Sequence, residues 1–338
     1  MTFMNIVIGL LIIAIGAFCQ SSSYVPINKI KSWSWESYWI VQGVFAWLLF
    51  PLLGALLAVP AGESLFALFA ANPRESLLTI FFGILWGIGG LTFGLSMRYL
   101  GVALGQSIAL GTCSGLGAIL GPVFTGHAAD LTTAVIIGVV VTLVGIAIIG
   151  IAGAMKSAAL PEEEKKKAVK DFNFGKGLFV AILAGFMSAC FNIGLSFGAP
   201  LTWAATKTIF ATLPATFLVT LGGFLTNACY CFYQNGKNKT WGDYRQKALW
   251  GNNILFCCLA GLLWYSQFFG LSLGKGFLTD YPVLITFSWC ILMSLNVVFS
   301  NVWGIILKEW KGVSRKTIAV LVTGIIVLII STFLPQLI

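Results

Sequence analysis

Long runs of apolar residues, separated by short polar gaps, recur from one end of the chain to the other. Each run is close to the roughly 20 residues that an α-helix needs to cross the hydrocarbon core of a bilayer. The strict alternation typical of membrane β-barrels is absent, so helices are the predicted way to satisfy the backbone in lipid. Ten transmembrane helices are predicted, at 3–25, 37–60, 76–98, 102–124, 131–154, 177–199, 209–233, 248–273, 282–306 and 317–337.

Composition and charge agree with an integral membrane protein and predict its orientation. Of the 338 residues, 58% are hydrophobic and 9% are charged, which is too little polar surface for a soluble domain. Most of the 20 Lys and Arg residues fall in the gaps after odd-numbered helices, and basic loops stay in the cytoplasm. Both termini are therefore predicted on the periplasmic side of a bacterial inner membrane. The same bias explains the net charge of +9 without a nucleic-acid partner. The exceptions are Arg74, Lys207 and Lys275.

The longest polar stretch divides the chain into two sets of five predicted helices. The predicted parts are a first five-helix repeat at 1–155, a cytoplasmic linker at 156–176 and a second five-helix repeat at 177–338. Because each set has an odd number of helices, the second enters the membrane from the opposite side, and halves with one fold would be inverted repeats. The predicted fold is an all-α integral membrane protein of ten helices in two inverted repeats.

The predicted interior carries polar groups but almost no charge. The eleven Asp and Glu residues lie in loops or at helix ends, which favours a neutral substrate. Amides can pair with hydroxyl groups, and aromatic faces can pack against the C–H surface of a pyranose. The alternative is that these side chains only hydrogen-bond neighbouring helices. The predicted substrate-binding residues are Gln20, Tyr24, Ser188, Asn192, Ser196, Asn253, Trp264, Gln267 and Asn296.

Five segments, in this order and spacing, resemble the L-rhamnose/proton symporter family of the drug/metabolite transporter superfamily. The resemblance implies ten helices in two inverted halves and import of a neutral 6-deoxyhexose, most simply L-rhamnose, with a proton; sodium remains an alternative coupling ion. The segments are NKIKSWSWE at 28–36, WGIG at 86–89, GLSMRYLG at 94–101, WYSQFF at 264–269 and LKEW at 307–310.

Proton coupling usually requires an ionisable group that both sides of the membrane can reach in turn. The only histidine, His127, lies in a predicted outer loop, whereas Glu36 stands at the cytoplasmic start of the second helix. Glu36 and Arg98 are predicted coupling or gate residues: Glu36 either carries the proton or closes a gate by pairing with Arg98 or lysines. Nearby Trp33, Trp35 and Trp39 are interpreted as interfacial anchors.

Two other functional classes are weighed against sugar transport. An integral membrane enzyme would need acid/base or metal-binding groups, and the candidates are scattered. Another small-solute carrier or an exporter of the same superfamily remains the alternative. The eight cysteines lie inside apolar segments as small hydrophobic residues, so neither a disulfide framework, a metal nor a cofactor is predicted.

Overall fold

The computed structural model describes residues 2–100, 102–159 and 174–337, and the regular secondary structure of that part of the chain is entirely helical. Ten helices are long and apolar enough to cross a membrane, which confirms the prediction of a multi-pass membrane protein. They are α1 (Phe3–Ile27), α2 (Trp35–Leu57), α3 (Pro73–Met97), α4 (Gly105–Phe124), α5 (Thr133–Ala158), α6 (Phe174–Phe197), α7 (Thr208–Asn238), α8 (Lys247–Phe277), α9 (Pro282–Ile306) and α10 (Arg315–Gln336).

The predicted and observed helices overlap at all ten positions, but several ends differ. Helix α7 continues to Asn238 and α8 to Phe277, beyond the predicted ends at 233 and 273. A helix satisfies its own backbone in water as well as in lipid, so it need not end where the apolar run ends. The short helix Leu65–Ala71, between α2 and α3, was not predicted because seven residues are too few to show a periodic pattern.

Helix α2 changes its winding near the middle. An α-helix at Trp35–Gly43 is followed by a π-helical segment, Val44–Leu49, and then by an α-helix at Phe50–Leu57. Pro51 lies two residues after the π-helical segment and has no backbone N–H to donate to the preceding turn. The wider turn changes the direction in which the side chains of this stretch point.

The described chain forms two compact units. Unit 1 comprises Met1–Gly87 and Gly194–Asp280, and unit 2 comprises Ile88–Ile193 and Tyr281–Ile338. Helices α1, α2, α7 and α8 belong to unit 1, whereas α4, α5, α9 and α10 belong to unit 2; α3 and α6 contribute to both. The predicted halves follow the order of the chain rather than these units, and their repeat relationship stays a prediction. Residues 160–173 of the predicted linker lie outside the described residues.

Unit 1 is held together by close approaches between glycines on facing helices. A Cβ added to Gly270 of α8 would lie 3.2 Å from the Cα of Gly16 on α1. Between α3 and α7, a Cβ on Gly83 would overlap the carbonyl oxygen of Val219, and one on Gly222 would overlap that of Ile80. Lipid offers no hydrophobic drive for helix association, so such backbone proximity supplies the packing energy.

Unit 2 repeats this construction around α5. A Cβ on Gly324 of α10 would lie 3.2 Å from the carbonyl oxygen of Gly145, so the two backbones approach closely. Around this contact Ile146, Leu321 and Leu328 form a buried aliphatic cluster. The glycine spacing in the sequence is thus explained at these positions by helix packing.

The contrast between two glycines of α3 gives a test of this packing. Gly83 touches the α7 backbone, whereas a Cβ on the exposed Gly90 would meet nothing within 4 Å. We expect Gly83→Ala to lower the thermal unfolding temperature of the purified protein, because overpacking typically costs about 1–3 kcal/mol. Gly90→Ala should leave it unchanged or raise it, because alanine favours helix. Equal unfolding temperatures for the two variants would contradict the account.

Candidate functional site

Three tryptophans from three helices of unit 1 form a mutually contacting group, here called the tryptophan box: Trp47, Trp86 and Trp264. The ring centroids of Trp47 and Trp86 are 6.2 Å apart with planes at 88°, and those of Trp47 and Trp264 are 5.9 Å apart at 85°. Trp86 and Trp264 are 5.7 Å apart at 34°. These are favourable edge-to-face and offset geometries, so the box is a defined apolar surface with indole edges.

Two glycines make room for the box. A Cβ on Gly43 would lie 2.5 Å from the six-membered ring of Trp47, and a Cβ on Gly223 of α7 would overlap the ring of Trp86. The π-helical segment Val44–Leu49 contains Trp47 and sets the direction of its side chain. The position of the box therefore depends on backbone features of α2 and α7.

A second set of aromatic residues connects the box to the start of α2. The ring centroids of Trp39 and Trp47 are 5.6 Å apart, and Trp35 stacks on Trp39 at 5.4 Å. Trp39 Nε1 donates a hydrogen bond to Asn227 Oδ1 on α7 at 3.0 Å. Trp39 and Trp33 thus pack within unit 1, and their role as interfacial anchors stays a prediction.

Two of the predicted substrate-binding residues lie next to each other on α8. Gln267 is 3% exposed, and its Nε2 donates to the carbonyl oxygen of Trp264 at 3.2 Å. Helix α1 packs here, because a Cβ on Gly16 would lie 3.1 Å from the Cα of Gln267. Gln20 follows Gly16 by one helical turn and is half-buried, and its Oε1 accepts from Ser21 Oγ at 3.4 Å. The structure therefore brings Trp264 and Gln267 together and places Gln20 on the adjoining helix.

Two other predicted residues of unit 1 lie elsewhere. Tyr24 is 58% exposed near the end of α1. Asn253 is fully buried, but its Oδ1 accepts from the backbone N–H of Lys31 at 3.0 Å and its Nδ2 donates to the carbonyl oxygen of Lys31 at 2.9 Å. Asn252 similarly donates to the carbonyl of Lys29. Through these contacts Asn253 holds the loop between α1 and α2, and its predicted role in substrate binding stays a prediction.

In unit 2 an amide and an indole both bind the backbone of α4. Asn192 Nδ2 donates to the carbonyl oxygen of Gly117 at 2.7 Å, and Trp289 Nε1 donates to that of Cys113 at 3.2 Å. Phe191 stacks on Trp289 with centroids 5.9 Å apart at 16°. Helices α4, α6 and α9 are thereby joined at one level of the unit.

The remaining predicted substrate-binding residues are half-buried. Ser188 and Asn296 belong to unit 2, on α6 and α9, and Ser196 lies on the part of α6 that belongs to unit 1. A Cβ on Gly89 of α3 would lie 2.6 Å from the backbone nitrogen of Ser188, so α3 and α6 approach closely there. Of the predicted residues on α6, Ser188 and Asn192 thus belong to unit 2 and Ser196 belongs to unit 1.

Glu36, the predicted coupling residue, lies in a hydrogen-bonded network at the start of α2. It is 5% exposed, and its Oε1 accepts from Asn238 Nδ2 at 3.0 Å and from Thr240 Oγ1 at 2.8 Å. Both donors are neutral, and the described residues provide no cationic partner for Glu36. The predicted partner Arg98 has a side chain that lies outside the described residues.

The network continues to a second carboxylate, Asp243. Asn235 Nδ2 donates to Thr240 Oγ1 and to Ser37 Oγ, and Ser34 donates to Asp243 Oδ2 through its backbone N–H at 2.8 Å and its hydroxyl at 2.6 Å. Partial burial raises the pKa of Asp243, but the hydrogen bonds from Ser34 and Ser37 stabilise the charged form and hold its pKa below the ordinary value. The start of α2 is thereby fastened to the α7–α8 loop.

The sequence interpretation did not select Trp47, Trp86 or Gln42 as site residues. One signal was available: Trp35, Trp39, Gly43 and Trp47 follow at four-residue spacing on α2. Such spacing places residues on one helical face. Only Trp33, Trp35 and Trp39 were interpreted, as interfacial anchors at the start of α2.

Comparison with known proteins establishes the family. The profile of the family described as L-rhamnose-proton symport protein (RhaT) matches residues 2–337. The chain belongs to this family. The L-rhamnose-proton symporters of Yersinia pestis (strain Pestoides F) and Yersinia pseudotuberculosis serotype O:1b (strain IP 31758) are each 33% identical to it over 341 residues, with 96% of both chains covered. Another, from Yersinia pestis bv. Antiqua (strain Antiqua), is 32% identical over 340 residues.

Membership in the L-rhamnose-proton symport protein family confirms the resemblance found in the sequence and places the chain among transporters rather than enzymes. The matched region contains all ten membrane-spanning helices and both units. The described residues contain no cluster of three or more His, Cys, Asp or Glu side chains suited to a metal ion. The candidate binding groups are the polar and aromatic groups described above.

Proposed function

We propose that the chain is a secondary active transporter that imports L-rhamnose together with a proton. The observation that carries this proposal is the similarity to proteins named L-rhamnose-proton symporter over 96% of both chains. The composition supports it, because a neutral sugar needs hydrogen-bonding groups and apolar faces rather than a buried counter-ion.

Within this function, we assign sugar binding first to Trp264 and Gln267 and to the adjoining Gln20. Trp264 presents an aromatic face, and Gln267 presents an amide three residues later on the same helix. In unit 2, Asn192, Ser188 and Asn296 are the corresponding candidates. Tyr24 and Ser196 remain candidates because they follow Gln20 and Asn192, respectively, by four residues on the same helices. The contacts of Asn253 with Lys31 favour a structural role for Asn253.

The proposed transport cycle rests on inverted repeats and on a defined orientation. Helix contacts within the units support the repeats. In two five-helix repeats, α1 corresponds to α6 and α3 corresponds to α8. Helix α1 packs on α8, and α6 correspondingly packs on α3. Inverted repeats permit alternate exposure of a midplane site by rocking. The basic loops support an inner-membrane protein with both termini in the periplasm.

Uptake by cells that lack other L-rhamnose carriers tests the function. We expect labelled L-rhamnose to accumulate against its gradient when the outside is acidic, and a protonophore should abolish accumulation while leaving exchange of sugar intact. If accumulation depended on an inward sodium gradient and not on pH, the coupled ion would be sodium rather than the proton. Expulsion of an amphipathic drug, without any accumulation of sugar, would favour the exporter alternative.

Glu36 is the proposed coupling group. It is nearly fully buried at the end of a helix and is bound only by neutral donors among the described residues, so its charge is not fixed by an ion pair. Thr240 can rotate its hydroxyl and accept a hydrogen bond from a protonated carboxyl, so the site can accommodate both protonation states. A role of Glu36 in closing a gate differs from proton transfer because the gate requires a cationic side chain that pairs with Glu36.

Replacing Glu36 with Gln tests this assignment. The amide keeps the size of the side chain but cannot titrate, so Glu36→Gln should retain exchange of L-rhamnose and lose accumulation driven by a pH gradient. Asp280→Asn provides a matched control, because Asp280 lies in the loop between α8 and α9 outside the network. Undiminished accumulation by Glu36→Gln would exclude Glu36 as the proton carrier.

A further inference from the structure

The tryptophan box contains a buried hydrogen-bond donor that the described protein groups do not use. The indole of Trp47 is 3% exposed, yet its Nε1 has no hydrogen-bond partner among the described residues. Gln42, five residues earlier on α2, is 2% exposed, and its Oε1 likewise has no partner there. An unpaired buried polar group typically costs about 1–3 kcal/mol. A bound molecule that paired with these two groups would remove that cost.

The local backbone is adapted to hold Trp47 in this position. Gly43 lies beneath its ring, Gly223 admits the ring of Trp86, and the π-helical segment Val44–Leu49 carries Trp47 itself. Local π-helical turns are rare in helices and frequently mark functional sites. A simple packing role would be served equally by a phenylalanine, which has no N–H to satisfy.

We infer that the tryptophan box binds one C–H face of the transported sugar and that Trp47 Nε1 donates a hydrogen bond to one of its hydroxyl groups. This inference rests on the proposed function and adds a subsite for a 6-deoxyhexose to it. The indole faces of Trp86 and Trp264 supply an apolar, electron-rich surface for the C–H groups and the methyl group of such a sugar. A hydroxyl group both accepts and donates, so one that accepts from Trp47 can donate to Gln42 Oε1.

Binding to the purified protein, measured by titration calorimetry, separates this role from packing. Trp47→Phe retains an aromatic ring and removes the N–H, so the dissociation constant for L-rhamnose should rise about tenfold or more. Trp33→Phe is the matched control. Trp33 is also buried with an unpartnered Nε1, but it packs against Tyr244 outside the box, at 6.0 Å between centroids. The Trp33→Phe variant should bind L-rhamnose with the affinity of the wild type.

Monodeoxy analogues of L-rhamnose identify the hydroxyl group concerned. One analogue should bind the wild type and Trp47→Phe with equal affinity, because it lacks the hydroxyl that accepts from Trp47. The other analogues should retain the difference between the two proteins. A loss of affinity that was the same for every analogue would indicate a general distortion of the site and would overturn the inference.

The outcomes distinguish the inference from the proposed function. If the wild type bound no L-rhamnose, the proposed function would fail. If the wild type bound it and Trp47→Phe bound it equally tightly, the function would stand and the subsite would be wrong. Should Trp47→Phe not fold, the tryptophan fluorescence of the wild type decides: emission must change when L-rhamnose binds, and binding without any change overturns the subsite.

Discussion

The bilayer provides neither hydrogen bonds nor strong screening to groups inside it, and the rest of this structure depends on that constraint. Carboxylates are kept to loops and helix ends, where Glu36 and Asp243 receive hydrogen bonds from neutral side chains. Polar groups deeper in the helices are paired with backbone carbonyls, as Asn192 is with Gly117 and Trp289 with Cys113. Against this background, Trp47 Nε1 and Gln42 Oε1 are candidates for contact with a ligand, because both are buried without a partner among the described residues.

The same constraint explains why glycine carries so much of the packing. Apolar side chains gain little by leaving lipid for another helix, so association depends on close backbone contact and van der Waals packing. Gly83 against α7 in unit 1 and Gly145 against Gly324 in unit 2 show this directly. Glycines also leave room for bulky aromatic rings between closely packed helices. Gly43 and Gly223 do this for the rings of Trp47 and Trp86 in the tryptophan box.

The ten helices could be predicted from the sequence because a bilayer imposes a minimum apolar length that is readable in a single chain. Local departures could not be: the π-helical segment at Val44–Leu49 shifts the helical phase, and no periodic pattern in a single sequence reveals it. Trp264 and Gln267 could be placed on one face of α8 because that helix is regular, and their role in sugar binding stays a prediction. Asn253 was chosen for its helical face, yet its partner Lys31 is 222 residues away in the sequence, a contact that no local pattern reveals.

Charge movement during transport tests the central claim most directly. A neutral sugar carries no charge, so any current evoked by L-rhamnose in proteoliposomes on a solid-supported membrane belongs to the coupled ion. The account predicts an inward positive current in sodium-free buffer that grows with an acid-outside pH gradient and is lost in Glu36→Gln. L-Rhamnose uptake into the same vesicles without any current would contradict proton symport.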